Sequence, residues 1–224
     1  MQPGLAGRFD VRTDGDVRLK KNSYQGIPRG GYTAFMGRML RGIRVFTKVD
    51  YLRHRNEFPA VRLVIFTGPI DEFFKFDMGR LAYRGQRRAH VFLTHVDWHQ
   101  PVPQINYPDI NVPYIRIVEW KHMMEPEAIP NIRGTVIATE TPYMPLHASD
   151  YEYPFPDTVN QQLYRRYRDR ADSVGNLLVC GRLGEFRYYD MDQAIGRALT
   201  IAGRIVRGRQ THEHLECPRD PLTR

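Results

Sequence analysis

Twelve residues at 181–192, GRLGEFRYYDMD, gather the Gly181–Arg182 pair, three aromatic rings, and the carboxylates of Asp190 and Asp192. Polar and aromatic groups gathered in so short a span are often site residues, and glycine lets main chain approach a ligand closely. The segment follows the apolar run LLVC at 177–180. It precedes a helix marked by Ile195, Ala198, Leu199, Ala202, Ile205 and Val206 at spacings of three and four. Such a strand-to-helix junction faces the carboxyl end of its sheet, where open α/β sheets bind ligands. The helix start at 191–193 directs unpaired N–H groups and a partial positive charge at whatever lies there, with Asp192 expected as the cap.

The remaining composition narrows the choices. The chain has 224 residues, 42% of them apolar, enough for one full core and in the range of a folded soluble protein. No apolar run approaches the length of a membrane span, and the opening MQPGLAGRFDVRTDG lacks the pattern of a signal peptide, so the expected location is cytoplasmic. Two cysteines, Cys180 and Cys217, are too few for a disulfide framework. The net charge is +8, with only five of the 33 cationic side chains being Lys. The cations are dispersed, and no zinc knuckle, RNP-type motif or Lys/Arg block accompanies them, which argues against nucleic-acid binding. His212, His214 and Cys217 fall in a polar, Pro-bearing tail without a partner cluster, and His95 and His99 sit four apart in a strand-like run that keeps their rings apart, so no metal site is expected. There is also no catalytic triad and no P-loop.

These groups need elements to hold them. A helix is expected over 34–41, capped by Thr33 and ended by Gly42, with a strand IRVFT at 43–47. A strand RLVIF (62–66) leads into the turn TGPID, and HVFLTH (90–95), PQINY (103–107), VPYIRIV (112–118) and TVIAT (135–139) follow with a turn-separated spacing that fits an antiparallel sheet. A second helix spans 158–174, with Thr158 and Gln161 as a capping box, Val159, Leu163, Tyr167 and Val174 on one face, and Gly175 as its stop. Asp109 and Asp157 read as turn and helix-start residues. From 208 onward a flexible tail is expected.

Five stretches, YQGIPRGGYT (24–33), TGPIDEFF (67–74), GRLAYR (79–84), VPYIRIVEWKH (112–122) and GRLGEFRYYDMD, stand in the order and at nearly the spacing of the UDP-galactopyranose mutase family, and the chain resembles that family over about residues 5–207. The resemblance implies an α+β fold: an antiparallel substrate-binding sheet, plus C-terminal strand-helix elements of an incomplete Rossmann-like FAD-binding domain. It divides the chain into 1–27, a remnant of the mobile loop and helical domain; 28–72 and 177–207, later segments of the FAD domain; 73–176, the sheet domain with its helix; and 208–224, the tail. The implied chemistry is isomerisation of UDP-galactopyranose to UDP-galactofuranose through an adduct on N5 of reduced flavin, a nucleophilic catalysis by cofactor without net redox change.

By the same resemblance, Arg8 and Arg116 are the catalytic arginines that hold the diphosphate. Asn106, Tyr153, Tyr188 and Arg84 bind substrate beside them. Val49, Thr67 and Gly68 line the adenosine and pyrophosphate side of FAD, Gly181 and Arg182 approach its pyrophosphate, Asp190 meets the ribityl hydroxyls, and Met191 opens the helix at the flavin edge. Leu19 departs from the family pattern, which has a phosphate-binding tyrosine there. Nothing matches the glycine-rich G-x-G-x-x-G loop either. The expectation is therefore a C-terminal portion, a truncated frame or one half of a split mutase, that holds FAD only with an N-terminal partner polypeptide and whose open sheet edge invites that partner or a homo-oligomer. The competing reading is a non-catalytic UDP-sugar or protein-binding module.

Overall fold

The computed structural model describes residues 13–15, 24–60 and 62–207. Along the chain run α1 (Gly31–Met39), α2 (Tyr51–His54), β1 (Val64–Phe66), α3 (Ile70–Phe73), β2 (Tyr83–Leu93), β3 (Gln104–Asn106), β4 (Arg116–Glu119), β5 (Thr135–Tyr143), β6 (Tyr153–Pro154), α4 (Thr158–Asp172), β7 (Leu177–Val179), α5 (Gly181–Gly184) and α6 (Met191–Val206). The fold is a mixed α/β arrangement built around two sheets.

The smaller sheet is the parallel pair β1–β7, in the register Val64 to Leu177 through Phe66 to Val179. Parallel strands are covered on both faces, which is why LLVC is apolar at every position. Phe66 and Val179 pack into a core with Ile70, Tyr167 and Ala171 from α3 and α4, while Leu178 and Cys180 pack against Ile201 and Ile205 of α6. Each fully buried large apolar side chain contributes about 1.5–3 kcal/mol. Tyr167 also ties α4 to the following sheet: its hydroxyl donates to the Gly79 carbonyl at 2.7 Å and accepts from the Met78 N–H at 3.0 Å.

The larger sheet is antiparallel, in the order β3-β4-β5-β2-β6. It grows from the first core, where Tyr83 stacks on Tyr151 with ring centroids 4.1 Å apart. Cross-strand partners share a face and alternate residues share it too. The pairings Asn106 with Arg116, Arg116 with Glu140, Glu140 with Arg88, and Arg84 with Tyr153 therefore put Arg84, Arg88, Asn106, Arg116, Glu140 and Tyr153 on one side of the sheet. Tyr83 points to the opposite side, into the core.

Several local expectations need correction. The first helix starts at Gly31, with Gly30 at φ 76° as its N-cap, so Thr33 lies inside it rather than capping it. The IRVFT segment forms no strand among the described residues; Ile43, Val45 and Phe46 are more than half or about half exposed. β-propensity needs a partner edge before it becomes a strand. In α4 the cap is Asp157, whose carboxylate accepts from the Asn160 N–H at 2.7 Å, one residue ahead of the expected box, and Val159 faces solvent. Asp157 thus keeps its helix-start role, and Asp109 accepts from the Asn111 N–H in a turn. In α6 the cap is Asp190, in a reciprocal box with Gln193, while Asp192 sits in the first turn.

Candidate functional site

The junction after β7 begins where the two parallel strands end. Gly181 takes φ 81°, and a side chain built there would touch Thr67 at 3.6 Å, so the carboxyl ends of β1 and β7 meet closely at Thr67 and Gly181. Gly184 admits no side chain: an added Cβ would stand 2.8 Å from Val179 Cγ1. Phe186 follows at φ 45°, a left-handed conformation that costs roughly 1–2 kcal/mol and is held by burial of its ring against Tyr83 and Tyr164. This bend turns Tyr188 back onto β6. Its ring stacks on Tyr153 with centroids 5.5 Å apart and planes 8° from parallel, and its hydroxyl donates to Asp190 Oδ1 at 3.0 Å.

Arg182 lies over both tyrosine rings, 5.1 Å from the Tyr153 centroid and 4.9 Å from that of Tyr188. Its Nε donates to the Tyr189 carbonyl at 3.1 Å and its Nη1 to the Glu152 carbonyl at 3.4 Å. The guanidinium therefore fixes the junction to β6 and presents a cation behind the stacked pair.

Glu152 also leads toward the sheet. Its carboxylate takes a two-pronged bond from Arg88, at 2.8 and 3.0 Å, and the Arg88 Nε donates to Glu140 at 3.3 Å. The side chain of Glu140 is 5% exposed, and its second oxygen accepts from Arg116, whose Nη2 also reaches Gln86 Oε1 at 3.3 Å. A continuous run, Arg116–Glu140–Arg88–Glu152–Arg182, thus joins the sheet to the tyrosine pair. The two carboxylates pull the Arg88 guanidinium further up from its ordinary value, the hydrogen bond with Glu152 contributing most.

Of the sequence-predicted substrate residues, the sheet brings Arg84, Asn106, Arg116 and Tyr153 to one face, and the junction adds Tyr188 at its end. Arg84 lies 4.8 Å over the Phe155 ring and is exposed, as is Asn106, which accepts from Gln104 at 3.1 Å. Thr67, Gly68, Gly181 and Arg182 follow the ends of the parallel pair, with Gly181 close to Thr67, while Asp190 and Met191 open α6. Val49 is exposed, two residues before α2. Arg8 and Leu19 lie outside the described residues, as do His212, His214 and Cys217. Among the described residues no group of His, Cys, Asp and Glu is arranged to hold a metal, and no helix is long and apolar enough to cross a membrane.

An open hollow of about 750 Å³ sits around the starts of β1 and β7, bounded by Tyr51, Arg55, Phe58, Phe74 and Asn176. None of the sequence-predicted site residues lines it.

A family model for UDP-galactopyranose mutase matches residues 1–188. The chain belongs to the UDP-galactopyranose mutase family. Among its curated relatives, the UDP-galactopyranose mutase of Mycoplasma pneumoniae is 28% identical over 92% of this chain and 54% of its own length. The probable UDP-galactopyranose mutase of Klebsiella pneumoniae is 30% identical over 89% of this chain and 50% of its own. A dTDP-fucopyranose mutase of Escherichia coli is 28% identical over 87% and 52%. The chain spans about half the length of these mutase relatives.

Sequence reasoning missed Arg88, Glu140 and Glu152. A signal existed: Arg88 interrupts a β-rich run at even spacing from Arg84, and Glu140 stands inside another, where an acid is out of place unless paired. Which arginine each acid would meet was a matter of register.

Proposed function

We propose that this chain carries the substrate-binding sheet and the cofactor-facing junction of a mutase that interconverts UDP-galactopyranose and UDP-galactofuranose. The observation that carries the reading is the shared face: Arg84, Asn106, Arg116 and Tyr153 come from four strands to one side of the sheet, and Tyr188 closes its end. Arg116 and Arg84 offer charge-assisted bonds to a diphosphate, Tyr153 and Tyr188 offer hydroxyls to the same group, and Asn106 reaches the sugar side. The buried Glu140 holds Arg116 in one orientation, so the guanidinium does not have to be ordered when the anion arrives.

The residues at the ends of β1 and β7 suit FAD by their chemistry. Thr67 supplies a hydroxyl, Gly68 and Gly181 allow close main-chain approach, and the 16-residue α6 that follows the junction offers the unpaired N–H groups of its amino end. When bound in reduced form, FAD supplies the nucleophile for exchange at the anomeric carbon, with no net oxidation. This chain's part is to keep UDP in place while its sugar rearranges, with Asp190 anchored by Tyr188 and Gln193 between the two regions.

The elements also support a further polypeptide partner, joined or separate, that makes up the remaining family length. Among the described residues the parallel sheet has two strands, and α6 exposes a second apolar stripe of Ile195, Leu199 and Val206, spaced at four and seven, away from its core face. The helix α1 buries none of its residues and exposes Tyr32, Met36 and Met39. Such faces are covered in a finished Rossmann-like domain.

Calorimetric titration with UDP tests the reading. Binding that Arg116→Ala abolishes is expected. UDP binding left intact by that substitution, or no binding by the parent chain, refutes it. Supplementing the chain with a G-x-G-x-x-G-bearing polypeptide of the same family is expected to yield bound flavin and mutase turnover.

A further inference from the structure

We infer that Arg88 is a positioning residue that sets the separation between Arg116 and the Tyr153–Tyr188 pair; this rests on the diphosphate reading of that face. β4, β5 and β2 are locked together by extended ladders, with nine pairings between β2 and β5 alone running from Gly85 to Leu93. The position of Arg116 is therefore fixed by main chain. Tyr153 rests on a much shorter ladder: β6 is two residues long and pairs with β2 at Tyr83 and Arg84, at the end of that strand, flanked by one main-chain bond on each side, Glu152 N–H to the Arg84 carbonyl and Phe155 N–H to the Ala82 carbonyl.

The Arg88 fork supplies what the short ladder lacks. It grips both oxygens of Glu152, the residue immediately before Tyr153, and reaches across the strand to Glu140, which holds Arg116. Glu152 is further fixed by its main chain, whose N–H donates to the Arg84 carbonyl at 3.0 Å and whose carbonyl accepts from Arg182. A planar guanidinium with three committed donors transmits a defined distance and angle between the two acids; an ammonium on a flexible stem does not. Register puts Arg88 on the face of Arg84 and Arg116, and the side chains of Arg88 and Glu152, 38% and 27% exposed, remain partly shielded from solvent.

Charge sets the second half of its role. Arg88, Arg116 and Arg182 face two acids, Glu140 and Glu152, leaving this run one positive charge in excess for an arriving diphosphate. Without Arg88 the balance becomes neutral, and Glu152 loses its two-pronged partner beside Tyr153.

Calorimetry with UDP on the full chain tests the inference, comparing Arg88→Met, Arg88→Lys and Tyr153→Phe singly and Arg88→Met combined with Tyr153→Phe. Arg88→Met is expected to weaken UDP binding at least tenfold and Arg88→Lys about threefold. In the Tyr153→Phe background the same Arg88→Met change is expected to cost less than threefold, because the hydroxyl it positions is gone. An equal loss in both backgrounds would assign Arg88 a general structural role and overturn the inference. So would unchanged UDP affinity in a folded Arg88→Met chain. Should the parent chain fail to bind UDP at all, the diphosphate reading falls and takes the inference with it, whereas failure of the variants alone leaves that reading standing. If Arg88→Met does not fold, Arg88→Lys in the two backgrounds carries the same comparison, with threefold against no change expected and equal losses overturning it.

Discussion

Glu119 ends β4, the strand that carries Arg116, and its carboxylate is fully buried. One oxygen accepts from the His99 N–H at 2.9 Å and the Thr135 hydroxyl at 2.7 Å; the other accepts from the Gln100 N–H at 2.9 Å, with His122 Nε2 at 3.4 Å. Replacing Glu119 by Gln turns one acceptor oxygen into a donor. In either orientation a buried donor then faces another donor. The smaller loss leaves the Gln100 N–H unsatisfied, about 1–3 kcal/mol, and the two remaining bonds weaken when the charge that assists them goes, so the total is about 2–4 kcal/mol. Urea unfolding of the two chains at pH 7 measures it. The pH dependence supplies an independent check. Burial alone would raise the carboxyl, but the donors from His99, Thr135 and Gln100 outweigh it and hold Glu119 below its ordinary 4.5. A depressed folded pKa stabilises above the unfolded value, and the contribution is lost as pH falls through the folded one. The gap between parent and Glu119→Gln should therefore be full above 4.5 and narrow under more acid conditions. A gap below 1 kcal/mol at neutral pH, or one that widens in acid, would refute the reasoning.

Gly184→Ala should destabilise by about 1–3 kcal/mol, because its Cβ would overlap Val179 Cγ1 at 2.8 Å with the Gly68 and Phe66 carbonyls at 3.4 Å; a thermal melt reads it, and a change under 0.5 kcal/mol would mean the junction yields easily. Burial, aided by Glu185, pushes the Cys180 thiol above its ordinary value, so in a Cys217→Ser background it should resist a thiol reagent at neutral pH until urea unfolds the chain; prompt labelling of the native protein would contradict its 8% exposure.

Local signals carried much of the fold. The three- and four-residue spacing of α4 and α6, the apolar LLVC and the glycine-punctuated turns identify these elements without reference to anything distant, because a helix closes its own hydrogen bonds and a two-sided strand must be apolar throughout. The junction at 181–192 was legible for the same reason: its residue types are unusual in one short span. Caps slipped by a residue or two, Asp157 for Thr158 and Asp190 for Asp192, since neighbouring polar residues are equivalent to a pattern and only the backbone turn selects between them. IRVFT has the composition of a strand and no ladder among the described residues, because pairing belongs to two segments and not to one. The tertiary structure alone decided that Glu140 stands between Arg116 and Arg88, and that Glu152 passes the contact on to the Tyr153–Tyr188 stack. Those partners are 24, 52 and 64 residues apart along the chain. A shift of one residue in the β2–β5 register would put Arg88 and Glu140 on opposite faces and break the run between them, so the arrangement is a property of the pairing.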